Sequence, residues 1–374
     1  MDFYPFFFIS LILALIYGLL ILKLASLLKN FKAPKPDFSS YQNCSILIPF
    51  RNEENQLTKL FNSILELNFP IDSFEIIFID DHSDDHSSQR IKNFINNNPK
   101  HQISLIQNLQ GEGKKKAIEQ GLLCAKYDII IQTDADCEVD KDWLKFILLP
   151  FENKECNAVV ARVKMISDDS ISGKLMALEF ASLQASGLSL AMMNLPIMSN
   201  GANLAYRKSK IPKNIKGQNW ASGDDVFLIQ SLSMENKDSV AVQPQALVKT
   251  NVPGSISEFF KQRIRWGSKT TDYPMKKAKW IAALVFLLSI SQILLLTFGF
   301  LEPRNFMGFL LIYFIKLIPD YILLRQFLKN EEDKDLLKWV PFLALLYPLY
   351  ISFTSLYILF GSMGLKWKDR SIHH

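Results

Sequence analysis

Cysteine is scarce in this chain: four residues in 374, Cys44, Cys124, Cys137 and Cys156, with no Cys-x-x-Cys pair among them. That excludes a disulfide-stapled fold and a zinc ribbon, and leaves reduced, partly buried thiols. Histidine is almost as rare, with five residues. His82 and His86 sit in a Ser/Asp-rich stretch of turn composition rather than on a helix face, which argues against an imidazole metal centre. There is no Gly-x-x-x-x-Gly-Lys-Ser/Thr loop, so Gly111-Glu112-Gly113-Lys114 is not a Walker motif, although a helix start with small residues and a cation there suits a phosphate. No basic residue precedes the first apolar run, residues 3–22, and no small-residue cleavage site closes it before Lys23. The expectation is an uncleaved anchor over residues 1–28 rather than a secretory signal. A large charge excess is missing too. The formal net charge of +5 is modest and its basic residues lie largely beside apolar runs, which points to anionic lipid headgroups and not to nucleic acid.

What the chain has in quantity is apolar sequence, 49% of it hydrophobic and concentrated at the two ends. Besides the first run there are apolar segments at residues 280–300, 306–324 and 339–360, giving a C-terminal membrane region over 276–365. Lys23, Lys29, Lys32 and Lys35 follow the first run, and Lys276, Lys277 and Lys279 precede the second, so the positive-inside bias puts the intervening domain in the cytoplasm. Three full crossings after it would leave Lys366-Trp367-Lys368-Asp369-Arg370 outside, against that bias. A broken or re-entrant segment at Pro319 or Pro348 resolves the conflict. Lys316 and Asp320, four apart within a segment, are expected to pair or to face a polar cavity.

Between the ends, residues 41–270 alternate short apolar runs with longer amphipathic ones. Residues 45–48, 74–79, 103–106 and 128–132 read as strands, and 54–67, 87–96 and 114–125 as helices. This rhythm implies parallel βαβ units and a doubly wound, Rossmann-like, mostly parallel α/β sheet. Ligands in such sheets lie beyond the carboxyl ends of strands, where the acidic clusters of this chain fall.

Each cluster has a chemistry of its own. Asp80 and Asp81 end a strand, where a carboxylate accepts from a nucleobase N–H or a ribose hydroxyl, or else caps a turn. Asp134 and Asp136 flank one residue at the end of the fourth strand, a spacing that aims two carboxylates at one hard cation. Mg²⁺ or Mn²⁺ fits, completed by the phosphates of a nucleotide diphosphate. Asp224 and Asp225 open a predicted helix; adjacent carboxylates oppose each other's ionisation, which suits one of them to take a proton from an acceptor hydroxyl, while either can serve as an N-cap. Gln262-Arg263-Ile264-Arg265-Trp266 lies shortly before the C-terminal apolar segments and offers a cation, an amide and an indole face, suited to a diphosphate and a sugar ring.

In this order the motifs resemble those of family-2 inverting glycosyltransferases with a GT-A domain, of the membrane-anchored kind that includes ceramide glucosyltransferases and, more distantly, cellulose, chitin and hyaluronan synthases. The resemblance covers residues 41–270. Pro49, Arg51 and Glu53 stand in a segment like the family's opening strand and turn; Asp81 matches its uracil-binding aspartate, and Lys114 the lysine of its Gly-Lys-x-x-Ala motif. Asp134 and Asp136 match the diphosphate and metal motif. Gly201 and Asn203 lie in a segment similar to the acceptor-side Gly-x-Asn-x-Ala-Tyr, and Asp225 matches the general base. Gln262, Arg265 and Trp266 complete the pattern. Gly223-Asp224-Asp225 stands where relatives commonly carry Glu-Asp, which keeps Asp225 in register.

The resemblance implies sugar transfer with inversion from a nucleotide-sugar donor, a UDP-sugar by the match at Asp81, with Mg²⁺ or Mn²⁺ at Asp134 and Asp136. Trp266 would stack on the donor or the acceptor sugar. Processive synthases of the family enclose a channel with more membrane helices than are counted here, so single transfer to a lipid or lipid-linked acceptor is expected. The setting would be a bacterial inner membrane with the catalytic domain cytoplasmic. A short polysaccharide synthase and a catalytically silent nucleotide-sugar-binding subunit are the alternatives.

Overall fold

The structure, a computed structural model, describes residues 3–32, 42–213, 215, 223–328, 332–360, 366–367 and 370–371; Lys35, Lys368 and Asp369, named above, lie outside these. The chain forms two compact units. One holds Met1–Phe31, Ser167–Leu190 and Val252–Lys368; the other holds Lys32–Ile166, Ala191–Asn251 and Asp369–His374.

Helix α1 (Phe3–Asn30) belongs to the first unit, and the chain then enters the second through β1 (Cys44–Phe50), α2 (Leu57–Leu65), β2 (Phe74–Asp80), α3 (Ser87–Asn97), β3 (Ile103–Gln107), α4 (Lys114–Cys124) and β4 (Ile129–Gln132). These are the strands and helices the periodicity predicts, with ends shifted by a residue or a few. The helix expected from residue 54 starts at Leu57, because the Glu53 carbonyl closes a turn on the N–H groups of Gln56 and Leu57. Strand β1 pairs in parallel with β2 on one side and β4 on the other, and β2 pairs in parallel with β3. All seven residues of β1 are buried, as a central strand covered on both faces must be. On one face α4 lies so close that a Cβ at Gly121 would come within 3.0 Å of Ile79 Cδ1 and 3.1 Å of Leu47 Cδ2, which explains a glycine in mid-helix.

Beyond β4 the sheet turns mixed. The chain adds β5 (Glu138–Val139), α5 (Trp143–Leu148), β6 (Ala158–Ile166), then α6 (Ile171–Ala191) in the first unit, and returns through β7 (Leu204–Arg207), α7 (Asp224–Glu235) and β8 (Val240–Asn251). The order is β3-β2-β1-β4-β7-β6-β8-β5, with β7 antiparallel to β4 and to β6, β8 parallel to β6, and β5 antiparallel to β8. Asn203, just before β7, locks this half together. Its Nδ2 donates to the carbonyls of Arg162 (2.7 Å) and Ala246 (2.8 Å), and its Oδ1 accepts from Trp143 Nε1 at 2.9 Å.

The other unit gathers α1 and α6 with α8 (Ile256–Gly267), α9 (Lys276–Gly299), α10 (Pro303–Phe327) and α11 (Val340–Phe360). Helices α6 and α8 thus cluster with apolar helices, although they come from the stretch that reads as catalytic domain. Among the described residues four helices are long and apolar enough to cross a membrane, α1, α9, α10 and the stretch Lys334–Phe360 that contains α11. The break expected at a proline does not occur: α10 runs unbroken through Pro319 and α11 through Pro348. Membrane-type helices tolerate proline where neighbouring groups satisfy the freed carbonyl. Tyr313 OH donates to the Pro341 carbonyl at 2.8 Å, so α11 starts beside the middle of α10 and not beside its end. Lys316 and Asp320 pair as expected, at 2.5 Å, and Tyr17 OH from α1 donates to the same carboxylate at 2.7 Å.

Replacing Asn203 by Ala removes its hydrogen bonds to the Arg162 and Ala246 carbonyls and to the buried Trp143 indole N–H, and a buried group left unsatisfied costs about 1–3 kcal/mol. The variant is expected to melt well below the wild type in detergent; an unchanged melting temperature would show that Asn203 is not the joint of β6, β7 and β8.

Candidate active site

Asp80 and Asp81 leave the end of β2 with different jobs. The Asp80 carboxylate is tied to its own turn, accepting from the Ser83 N–H (2.8 Å) and from Ser88 Oγ (2.5 Å). This is the capping role, and it sets Asp80 apart from its neighbour. Asp81, also buried, accepts from Asn108 Nδ2 (2.9 Å) and from the Gly113 N–H, at 2.9 Å to Oδ1 and 3.0 Å to Oδ2. Asp81 therefore fixes the loop into α4. Gly111 and Gly113 in that loop take φ of 115° and 104°, which only glycine adopts easily.

Holding that loop places Lys114, the first residue of α4, against the end of β4. Its ammonium lies 2.5 Å from Asp134 Oδ1. Burial works to lower the Lys114 pKa, but the charges of Asp134, Asp224 and Asp225 outweigh it and raise the pKa above the usual lysine value. The ammonium is therefore a fixed positive charge in an acidic nest. Asp136 stands on the other flank of the same turn. Its pKa is pushed up to about 6, first by desolvation, then by the negative charges of Asp134 and Glu53, with Lys114 opposing. Glu53 reaches this group from the turn after β1, the same turn that carries Arg51; Pro49 stays inside β1, paired with Ile79.

The third group arrives from α7. Gly223, in the left-handed region at φ 92°, turns the chain so that Asp224 and Asp225 form the first turn of the helix. Asp225 Oδ2 accepts from the Gly201 N–H at 2.8 Å. Gly201 is where Lys114 and Asp225 meet: a Cβ there would lie 3.3 Å from Lys114 Nζ and 3.6 Å from Asp225 Cβ and Oδ2. Asp224 acts on Lys114 and on Tyr206, whose buried hydroxyl accepts from Gln132 Nε2 at 2.6 Å. One edge of the sheet thus joins Lys114, Asp134, Asp136, Gly201, Asp224 and Asp225. Asn203 does not join them: placed by its motif on the acceptor side, it is 1% exposed and its amide is bound to Trp143, Arg162 and Ala246. The reason is geometric, since it precedes a central strand and faces the core.

Gln262, Arg265 and Trp266 lie on α8, in the other unit, and are half-buried. Between them stands Arg263, which motif reading passes over. It is 4% exposed and paired with Glu179 of α6, itself 1% exposed. No local signal marks that pair, because its members are 84 residues apart in sequence.

A family profile described as glycosyl transferase family 2 matches residues 45–229. The poly-beta-1,6-N-acetyl-D-glucosamine synthase of Staphylococcus epidermidis is 25% identical over 238 residues, 62% of this chain and 55% of that protein. The protein of the same description from Staphylococcus aureus is 26% identical over 241 residues, 63% and 56% of the two chains. The chain therefore spans just over half the length of these curated relatives. Among solved structures, the mannosyltransferase PcManGT from Pyrobaculum calidifontis, described in complex with GDP-Man and Mn²⁺, superposes with a TM-score of 0.56 at 16% identity, covering 95% of this chain and 99% of that one. The ordered acidic motifs, the mixed sheet that carries them and the profile match agree, and the chain belongs to glycosyl transferase family 2, with the GT-A fold.

Proposed function

We propose that the chain transfers a sugar, with inversion at the anomeric carbon, from a nucleotide-sugar to a hydroxyl of a lipid or lipid-linked acceptor at the cytoplasmic face of a membrane. The observation that carries this reading is the meeting of Asp225, Gly201, Lys114 and Asp134 at one sheet edge. In the transfer, the acceptor oxygen bonds to the anomeric carbon as the bond from that carbon to the diphosphate oxygen breaks. The hydroxyl proton passes to Asp225, and the electron pair leaves with the diphosphate. The Gly201 N–H fixes one oxygen of Asp225 and so aims the carboxylate. Lys114 supplies a permanent positive charge beside the leaving group. Asp81, by holding the loop at Gly113, keeps Lys114 in place and brings its carboxylate to the donor's base, read as uracil. Gln262, Arg265 and Trp266 are read as donor-binding, and Gly201 as acceptor-facing.

Asp134 and Asp136 fit a divalent cation, Mg²⁺ or Mn²⁺. Burial first, and then the negative charges of Asp134 and Glu53, make Asp136 hard to ionise, and a cation held by these two carboxylates would be completed by substrate oxygens. When bound, such a cation neutralises charge on the departing diphosphate. The relatives named as poly-N-acetylglucosamine synthases make UDP-N-acetylglucosamine the first donor to try, and they favour a second reading, a polysaccharide synthase.

The test is nucleoside diphosphate release by the detergent-purified chain with Mn²⁺ or Mg²⁺, over a panel of UDP- and GDP-sugars with total lipid extract. One discrete glycolipid supports single transfer, and a product ladder supports the synthase. No release with any donor overturns both. In the same assay Asp225→Asn is expected to lower transfer about 10²- to 10⁴-fold while nucleotide binding by calorimetry persists; comparable turnover would remove Asp225 as the base.

A stability change also follows. The folded pKa of Asp136 lies above its ordinary 3.8, so its favourable contribution is complete below about pH 3.8 and is lost as pH rises through about 6. Asp136→Asn should therefore raise the melting temperature of the metal-free protein at pH 7.5, by an amount kept small because solvent still reaches the side chain between the protein groups that crowd it, and the gain should fade toward pH 4. A variant that melts lower at pH 7.5 would contradict the raised pKa of Asp136.

A further inference from the structure

The guanidinium of Arg263 is the centre of a buried assembly within the helical unit. Its Nε donates to Glu179 at 3.2 Å (Oε1) and 3.0 Å (Oε2), and its Nη2 also donates to Oε2. Nη1 donates to Gln262 Oε1. The rings of Phe259 and Trp266 each have their centroid 4.5 Å from the guanidinium carbon. Tyr350 OH, from α11, donates to Glu179 Oε1 at 3.1 Å. One side chain therefore touches the amide and the indole of the Gln-x-x-Arg-Trp motif, and through Glu179 is tied to α6 and to a membrane-type helix.

Energetics make this arrangement unlike ordinary packing. Removing two charges from water costs several kcal/mol per ion, and a buried ion pair commonly holds a fold no better than apolar side chains of similar size. What the pair adds is direction. A guanidinium has a planar fork, so holding two edges on a carboxylate fixes where the third edge and both faces point. The third edge engages the oxygen of Gln262, which turns its NH₂ away as a donor, and the plane sets the angle of the Trp266 ring.

We propose that Arg263 and Glu179 are positioning residues, which orient Gln262 and Trp266 for the sugar nucleotide without touching it. The proposal rests on the glycosyl-transfer reading above. The first variant replaces the pair by apolar residues, Glu179→Leu with Arg263→Met, in the full chain. It is expected to melt at or above the wild-type temperature, while kcat/KM for donor turnover falls about 10²-fold, the usual cost of a misplaced group. Arg263→Lys keeps the charge and loses the fork; it should fold and still fall about 10- to 100-fold. Wild-type turnover in a folded double variant overturns the proposal. Should that variant fail to fold, Arg263→Lys decides alone, and wild-type kcat/KM there overturns it as well. The wild type is assayed first: if it neither binds nor turns over any nucleotide-sugar, the glycosyl-transfer reading falls, and this one with it.

Discussion

The acidic edge of the sheet depends on one constraint, that several carboxylates share a small region and the Lys114 ammonium stands among them. Asp134, Asp224 and Asp225 arrive from two separate elements, and like charges brought so close oppose one another. Lys114 makes the arrangement tenable by standing among them. Its own place is secured one step back, where Asp81 holds the N–H of Gly113 and so anchors the start of α4. Lys114 does not balance the nest completely: burial first, and then the charges of Asp134 and Glu53, leave Asp136 hard to ionise, with Lys114 opposing.

Much of the sheet was legible because its signals are local. Strands β1 to β4 are short, apolar and bounded by turn residues, and the sequence periodicity located each to within a few residues. The acidic motifs were equally plain, since strand ends in this architecture collect ligands. Asn203 shows where locality fails. Its motif suggested an acceptor contact, but an amide next to a central strand can instead complete three distant hydrogen bonds, and those partners, Trp143, Arg162 and Ala246, cannot be guessed from spacing.

The helical unit was harder to read for the same reason. Lys316 and Asp320 announce themselves by lying four apart, yet Tyr17, which completes the group, is 303 residues from Asp320. Glu179 and Arg263 gave still less away. Pro319 and Pro348 misled in the opposite sense, because proline breaks a helix in water more reliably than among apolar helices that pack around it.

The scarcity of cysteine has a practical side. Cys44, Cys137 and Cys156 are buried, and burial holds their thiols above the usual range. Cys124 alone of the four is exposed. It sits in the last turn of α4, the helix that Lys114 begins, about 15 Å away along the axis at 1.5 Å per residue. A thiol-reactive fluorophore would therefore attach at one natural address, on the element whose first residue meets the carboxylates, and report on that helix without a single engineered substitution.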